Sequence, residues 1–434
     1  MVVAGSAGTR VRRGGLALDG ESTGADQTAT RRRNLEVVLR HLALTGSDSR
    51  AAIAAHSGLT RTSVSRLTSE LIAAGLVYEV GTPRSGRTGR PGTLLAIDGR
   101  HVLGVGAEVN VDCIRVVVRD LGGREVQRAR RPLDVVAEGA ERALRLLAQT
   151  CNDLLGSVPP SAEGNRVHLA GIGVAVPALT AMATGVVTEA PNLHWQDVPV
   201  GEMLAKYLGY TDVPIFVGND GNFGALAEHR LGANAGASDL IYVTGEAGIG
   251  AGVIAQGALL LGARGYAGEV GHVAVEPGGP LCGCGRRGCW EARVGLGALF
   301  DAGESPTARR MMPETRVKAV VSRAGRGERD TLLRLEELGH WVGVGVGNLV
   351  NIFGTELVIL GGYFVPLGRW ILPSAHRALA ERAMVRVDPE HLLTTSELGF
   401  DAAMLGASTY ALEAVFSNPS LYSGVNIYRT RSDP

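Results

Sequence analysis

The sequence predicts an α/β protein that has a small helical domain at its N-terminus and a larger, two-lobed domain behind it. Two patterns predict this fold class. Residues 34–74 contain short segments with the apolar spacing of helices, and strands then alternate with helices through most of residues 101–434. Composition agrees, because 61 glycines and only 5% aromatic residues are typical of α/β folds whose turns line small-molecule sites. At 434 residues the chain is too long for one core, so we expect two or three domains.

Charge is unevenly distributed, although basic and acidic residues both number 43. Residues 1–100 contain fourteen Arg, no Lys and eight acidic residues, so this part carries a net charge of +6. A basic segment at one end of a neutral protein favours a nucleic-acid partner, although a solvated basic tail has the same composition.

The five cysteines are an odd number, and three of them lie within residues 282–289. This spacing favours metal binding in a reducing compartment over a disulfide framework. We interpret Cys113 and Cys151 as buried apolar residues. No apolar run is long enough to span a bilayer, and the start lacks a signal-peptide pattern, so we expect a cytoplasmic protein without membrane contact.

The N-terminal helices follow from periodic apolar residues and polar caps. Apolar residues recur at helical spacing from Asn34 to Thr45, where a glycine follows. Ser49 and Thr60 each precede a further helical pattern, the second of which covers residues 61–74. Three helices with a short turn before the third form a helix-turn-helix, which inserts its third helix into the major groove of DNA.

These patterns divide the chain into four parts. Residues 1–30 are rich in Gly, Ala, Ser, Thr and Arg without apolar periodicity, so we expect a disordered basic tail. Residues 31–82 are predicted to form a winged helix-turn-helix, residues 83–100 a wing and linker, and residues 101–434 the two-lobed domain.

The outer face of the third helix carries small hydroxyl side chains and two arginines. Hydroxyls permit close approach to a duplex, and arginine reaches phosphates and guanine edges. The solvated face of a plain three-helix bundle would look similar. We favour operator DNA as the partner, contacted by Arg61, Thr62, Ser63, Ser65 and Arg66.

Strands and helices of the larger domain follow from apolar runs bounded by turn residues. The predicted strands are Val102–Val109, Ile114–Val118, Leu169–Val176, Ile215–Val217, Leu240–Thr244, Gly250–Ala255 and Leu357–Leu360. The predicted helices are Glu138–Leu155, Asn222–Leu231 and Thr331–Asn351.

One histidine and three cysteines have the spacing of a metal site, with glycines between them that let the backbone fold round one ion. Three thiolates and one imidazole complete a tetrahedral zinc site and leave no open position for catalysis. Three unliganded thiols would have little physical reason to lie in a polar loop. We therefore expect one structural Zn²⁺ per chain, held by His272, Cys282, Cys284 and Cys289.

This cluster carries a family resemblance. Together with Glu269-x-Gly271-His272 and Glu291, it is similar to the signature of the ROK family, which comprises repressors, open reading frames and sugar kinases. The resemblance covers nearly the whole chain, because repressor members also carry a winged helix-turn-helix in front. It implies a two-lobed, actin-like fold of the sugar-kinase type. Further matching stretches, in the family's order, are Gly171–Pro177, Ala190–Trp195 and Gly218–Asn222.

The resemblance also implies a sugar site with a small carbohydrate as its ligand. Amides and carboxylates suit this role, because they bond neighbouring hydroxyls and reject analogues that leave a buried polar group unpaired. His272 would bind zinc through one nitrogen and face a sugar hydroxyl with the other. Asn192 has an alternative role as a turn residue, and in a kinase Asp220 would be the general base. The implied contacts are Asn192, Asn219, Asp220, Glu269, His272 and Glu291.

The phosphate-binding motifs of the family's kinases are altered here. Where those kinases have Asp-x-Gly-Gly-Thr-Lys, residues Glu108 to Cys113 lack both glycines, the threonine and the lysine. Where they have Gly-Thr-Gly-Ile-Gly-x-Gly, this chain begins with Glu246 and Ala247 and keeps the later glycines. A carboxylate at ~4 Å from a phosphate costs about 1 to 4 kcal/mol per charge pair. We therefore expect no phosphotransfer.

The sequence alone leaves three functions open. The favoured one is a sugar-responsive transcriptional repressor, expected as a homodimer or a dimer of dimers on a palindromic site. A second is a zinc-containing, ATP-dependent sugar kinase with an accessory DNA-binding domain. A third is a repressor controlled by a protein partner, with a vestigial pocket.

Overall fold

The computed structural model describes residues 23–81, 93–159, 167–210, 212–246, 248–300 and 313–422. The N-terminal part packs three helices against a three-stranded sheet of order β1-β3-β2. Its elements are α1 Thr23–Thr45, β1 Ser47–Ser49, α2 Arg50–Ser57, α3 Arg61–Ala73, β2 Val77–Gly81 and β3 Leu94–Ile97.

The predicted caps of the second and third helices are present. The Ser49 side chain accepts a hydrogen bond from the Ala52 amide, and Thr60 accepts one from Ser63. The predicted start of the first helix and end of the tail were wrong, because α1 already begins at Thr23. The helix extends beyond its apolar pattern, and the Arg31 side chain in this extension pairs with Glu70 of α3 at 2.8 Å.

The small sheet gives this part the winged-helix arrangement. Strand β3 pairs antiparallel with both β1 and β2, so the segment assigned to wing and linker contributes a strand of the sheet. The proposed wing, residues 83–92, lies outside the described residues, as does the part of the tail before residue 23.

The first lobe is built on a five-stranded sheet of order β11-β7-β4-β5-β6, with a small sheet of β8, β9 and β10 beside it. Helices α4 and α5 pack against the large sheet. The elements are β4 Val102–Val109, β5 Cys113–Asp120, β6 Glu125–Pro132, α4 Val135–Gly156, β7 His168–Val176, β8 Leu179–Ala181, β9 Val186–Ala190, β10 Trp195–Val198, α5 Val200–Leu208, β11 Ile215–Asn219 and α6 Asp220–Leu231.

The second lobe has a second five-stranded sheet, of order β14-β13-β12-β15-β16, covered by long helices. The elements are β12 Leu240–Gly245, β13 Ile249–Ala255, β14 Ala258–Leu259, α7 Trp290–Val294, α8 Pro313–Gly325, α9 Arg329–Phe353, β15 Leu357–Gly362, α10 Phe364–Arg382, α11 Pro389–Leu392, β16 Leu393–Thr395 and α12 Ala402–Ser417. All the strands and helices predicted for the larger domain are present, most of them a few residues longer than predicted.

Helices α6 and α12 lie side by side between the two sheets, and glycines permit their close approach. A Cβ atom at Gly106 of β4 or at Gly173 of β7 would overlap the backbone of α12. A Cβ atom at Gly406 of α12 would likewise overlap the Phe223 carbonyl of α6. The helix pair is therefore fixed against the first lobe by backbone contact.

The same helix α12 packs against the N-terminal domain. One buried cluster joins Leu35 and Leu39 of α1 to Leu412 and Val415 of α12. The N-terminal domain is thus packed on the first lobe through a shared apolar core. No helix among the described residues has the length and apolarity to cross a bilayer.

Candidate functional site

The histidine and three cysteines predicted to bind metal lie together. His272 closes a short 3-10 turn, Val270–His272, and Cys289 immediately precedes α7. The four ligand atoms of His272, Cys282, Cys284 and Cys289 all lie within 4.8 Å of one another. Nδ1 of His272 is 3.8 Å from Sγ of Cys282, and the Sγ atoms of Cys284 and Cys289 are 3.7 Å apart. This arrangement could hold a metal ion.

The loop that brings these ligands together depends on local backbone geometry. Gly288 has φ +76°, and a Cβ atom there would overlap the carbonyl of Glu276. The amide of Cys282 donates to the carbonyl of Arg286 at 2.8 Å. A hydrogen bond from the Arg286 backbone lowers the pKa of Cys284 to about 7, which favours the thiolate that binds metal.

Glu291, in the first turn of α7, connects the metal loop to the start of β13. Its Oε1 accepts a hydrogen bond from the Cys282 thiol at 3.4 Å, and its Oε2 accepts one from the Ile249 amide at 2.9 Å. A Cβ atom at Gly248 would lie 2.6 Å from Oε2 of Glu291 and 3.3 Å from Nδ2 of Asn192. Gly248 therefore marks the point where Asn192 and Glu291 meet.

Asp220, the first residue of α6, is buried beside the same strand. Its Oδ1 accepts a hydrogen bond from the Gly221 amide at 2.9 Å, and a Cβ atom at Gly250 would lie 3.6 Å from it. Burial, together with the negative charges of Glu108 and Glu269, raises the pKa of Asp220 to about 7. A carboxyl group with such a pKa titrates near neutral pH and can both donate and accept hydrogen bonds.

Asn219 and Glu269 complete the set. The Asn219 side chain accepts from the Asn222 amide at 3.2 Å and donates to the Ala178 carbonyl at 3.2 Å, so it caps α6 and orients Asp220. Desolvation raises the pKa of Glu269, the charge of Glu291 adds to this, and His272 opposes it. The six residues implied as sugar contacts thus lie around the start of strand β13, next to the metal loop.

A buried ion cluster adjoins these residues, and its cation was not predicted from the sequence. Arg115 of β5 donates to both carboxylate oxygens of Glu108, at 3.2 and 3.0 Å, and to Glu314 of α8 at 3.1 Å. Its Nη1 atom lies 3.7 Å from Oε2 of Glu246, and the Asn110 amide bridges Glu108 and Glu246. The available signal was Arg115, which stands between Ile114 and Val116 in the strand Cys113–Asp120.

This cluster lies in the two stretches that were compared with the phosphate-binding motifs of kinases. Glu108 and Asn110 belong to the first stretch and Glu246 to the second, and all three are buried. Glu246 and Glu314 come from the second lobe, whereas Arg115 comes from the first, so the cluster ties the lobes together. Ala247 lies outside the described residues.

The predicted DNA-contacting residues lie on one face of α3. Arg61, Thr62, Ser65 and Arg66 are exposed, whereas Ser63 is half-buried and hydrogen-bonds the Thr60 hydroxyl at 2.9 Å. The opposite face of α3 is buried in the core of the N-terminal domain. Four of these five side chains are therefore accessible to a DNA duplex, and Ser63 also serves the helix cap.

The fold and site define a class: a two-lobed α/β domain of the sugar-kinase type, preceded by a helix-turn-helix of the DNA-binding type. Residues 105–414 match the ROK family, and the chain belongs to this family. Residues 37–81 match the IclR helix-turn-helix domain.

Individual relatives agree with both matches. The chain is 29% identical to the xylose repressor of Bacillus subtilis (strain 168) over 390 residues, which are 90% of this chain and 97% of the relative. A solved ROK family transcriptional regulator, a homologue of the Escherichia coli MLC protein, has the same fold, with a TM-score of 0.70 and 23% identity over 90% of this chain and 97% of that one. A ROK family glucokinase from Streptomyces griseus, solved with glucose and AMPPNP, is 25% identical, with a TM-score of 0.59, over 72% of this chain and 99% of that one.

Proposed function

We propose that this chain is a sugar-responsive transcriptional repressor whose winged helix-turn-helix binds operator DNA and whose two-lobed domain binds a small sugar. The observation that carries the proposal is the extent of similarity. The similarity to a repressor covers 90% of this chain, whereas the similarity to a glucokinase covers 72%. The IclR-type helix-turn-helix match, at residues 37–81, adds the DNA-binding half.

The sugar would bind at the start of strand β13. Carboxylates of Asp220, Glu269 and Glu291 and the amide of Asn192 present hydrogen-bonding groups of the kind that neighbouring sugar hydroxyls need. Asn219 would contribute mainly by capping α6 and holding Asp220 in place. His272 would face the pocket from the metal loop.

Zinc fits the four-residue cluster best. Three sulfur ligands and one imidazole suit a tetrahedral, structural Zn²⁺. Bound zinc would hold Cys282 as a thiolate, which no longer donates to Glu291, and would thereby leave the Glu291 carboxylate for a sugar hydroxyl. The zinc loop would thus shape the ligand site without taking part in a reaction.

Loss of phosphotransfer is supported by the Arg115 cluster. The stretches that match the phosphate-binding motifs of kinases are engaged with each other through Arg115, Glu108 and Glu246. A nucleotide phosphate there would meet buried carboxylates and would have to displace an ion pair. The alternative, a sugar kinase, is favoured by Asp220, whose pKa of about 7 suits a general base. Incubation with ATP, Mg²⁺ and a hexose panel decides between them, because only a kinase releases ADP.

Helix α6 offers a direct connection between the sugar pocket and the DNA-binding domain. Its N-terminus carries Asp220, and its twelve residues span about 18 Å. At its C-terminal end the charges of Glu413 and Arg40 act on the pKa of Arg230, which burial lowers. A shift of α6 on sugar binding would therefore change the interactions among Arg230, Arg40 and Glu413, which we call the charged junction.

The charged junction lies where α1 of the DNA-binding domain meets α12. The Arg40 guanidinium bonds both oxygens of Glu413 and also Glu36, which precedes it by one helical turn, at 2.9 Å. It also lies over the Phe416 ring, 5.6 Å from the ring centroid. We propose that sugar binding shifts α6 and α12 together and changes the presentation of α3, in a homodimer or dimer of dimers on the operator.

The test is operator binding measured by fluorescence anisotropy at fixed, near-physiological salt, with and without each sugar of a panel. The proposal expects sequence-dependent binding that one sugar changes by about tenfold, within the usual range of allosteric coupling. Asp220→Asn should abolish the sugar effect and leave DNA binding intact. Specific DNA binding that no sugar and no pocket variant changes would point instead to control by a protein partner.

A further inference from the structure

A second cluster of metal-ligating side chains lies in the DNA-binding domain, away from the cysteine loop. His41 comes from α1, Asp48 from β1 and His56 from the last turn of α2. One ligand atom of each lies within 4.8 Å of the other two. Nε2 of His41 is 2.9 Å from Oδ2 of Asp48, and the two imidazole rings are 5.3 Å apart with an interplanar angle of 30°.

The backbone orients two of these ligands. Oδ1 of Asp48 accepts a hydrogen bond from the Ser49 amide at 2.7 Å, so its other oxygen faces His41. Nδ1 of His56 lies 2.9 Å from the Ala52 carbonyl, and because a carbonyl only accepts, Nδ1 carries the proton. This tautomer leaves the Nε2 lone pair of His56 for a cation, in the way that metal-bound histidines are usually held.

The electrostatic surroundings also favour a cation. Helices α1 and α2 both end close to the cluster, and helix C-termini carry partial negative charge. The nearest guanidinium in sequence, that of Arg40, is turned to Glu36 and Glu413. The side chains of His41 and Asp48 are 14% and 20% exposed, whereas His56 is exposed and gives an ion access from solvent. A hydrogen bond between His41 and Asp48 alone does not account for the third ligand or for its tautomer.

We propose that His41, Asp48 and His56 bind one further divalent transition-metal ion of the borderline class, such as Zn²⁺ or Ni²⁺. The ion links α1, which carries the junction with α12, to α2, which packs directly against the recognition helix α3. Metal occupancy therefore stiffens the connection between the sensor domain and the DNA-reading helix. The site is independent of the proposed sugar pocket.

The test counts bound metal in the full chain by equilibrium dialysis against Zn²⁺, followed by mass spectrometry, in wild type and His56→Gln. We expect wild type to bind one ion more than His56→Gln, and added Zn²⁺ to raise the melting temperature of wild type more than that of His56→Gln. Asp48→Asn keeps the acceptor for Ser49 and should behave like His56→Gln, which guards against a folding defect in either variant. The comparison between variants does not depend on occupancy of the cysteine cluster.

His391→Gln is the matched control. His391 pairs with Asp388 at 2.7 Å through Nδ1, whereas His41 pairs with Asp48 through Nε2, and the described residues provide no third ligand near His391. This variant should bind as much metal as wild type. Equal metal binding by wild type and His56→Gln, or an equal loss in His391→Gln, would overturn the proposal.

Discussion

The charged junction between α1 and α12 can be tested by Glu413→Gln. The Arg40 and Glu413 side chains are 26% and 28% exposed, so their ion pair is partly shielded from solvent. Removing one partner of a bidentate pair of this kind costs about 1 kcal/mol, more than for an exposed pair and less than for a buried one. If the pair forms in only one of the two domain arrangements, its loss reduces the effect of sugar on operator affinity by about fivefold.

The assay is a pair of anisotropy titrations of the operator, with saturating sugar and without it, for wild type and variant. Sugar affinity itself, measured calorimetrically, should stay within about twofold of wild type, because Glu413 lies far from the pocket at the opposite end of α6. Glu141→Gln is the control, since Glu141 pairs with Arg145 on α4 in a solvent-exposed setting. An unchanged sugar effect in Glu413→Gln, or an equal reduction in Glu141→Gln, would refute the role of the junction.

Three further predictions concern the metal loop, the pocket and the buried cluster. Cys284→Ser should lose the zinc of that loop and weaken sugar binding by at least about tenfold, measured by metal analysis and calorimetry, whereas Cys151→Ala should keep both. Asp220 holds its proton in the folded state up to a pH of about 7, while the unfolded chain releases it near pH 4. Stability should therefore fall as pH rises from 4 to 7, and urea unfolding of Asp220→Asn should lack up to about 1.4 kcal/mol per pH unit of this slope. Arg115→Met leaves buried carboxylates unpaired and should cost about 3 to 5 kcal/mol by the same method, whereas Arg145→Met should leave the urea midpoint nearly unchanged.

Much of this fold was readable from the sequence where local chemistry determines it. The helix caps at Ser49 and Thr60 lie where the residue types predict them, because a side-chain oxygen beside an unpaired amide fixes a helix start locally. Strand Val102–Val109 has the predicted bounds, since a continuous apolar run fits a strand buried on both faces. The metal loop was equally readable, because ligand spacing and glycines fix its closure.

The parts that were not readable depend on contacts distant in sequence. The first helix extends back to Thr23, where its own pattern is polar and a tertiary ion pair from Arg31 supports it. The acidic residues Glu108 and Glu246 were recognised as unfavourable for phosphate, but their partner Arg115 could not be assigned without the fold. Helix α12 has apolar residues all round, and nothing in it indicates that it carries the N-terminal domain.

The glycine contacts beneath α12 have a mechanical consequence. The helix rests on β4 and β7 through backbone contacts at Gly106 and Gly173, and its Leu412 side chain packs against Gly104 of β4. A rotation of the first lobe is therefore expected to move α12, a helix of sixteen residues about 24 Å long. A tilt of roughly 10° moves the far end of a helix of this length by about 4 Å, slightly more than the ~3.4 Å between successive base pairs. We therefore expect a small closure of the pocket to move the end of α12 that contacts the DNA-binding domain by a distance comparable to one base-pair step.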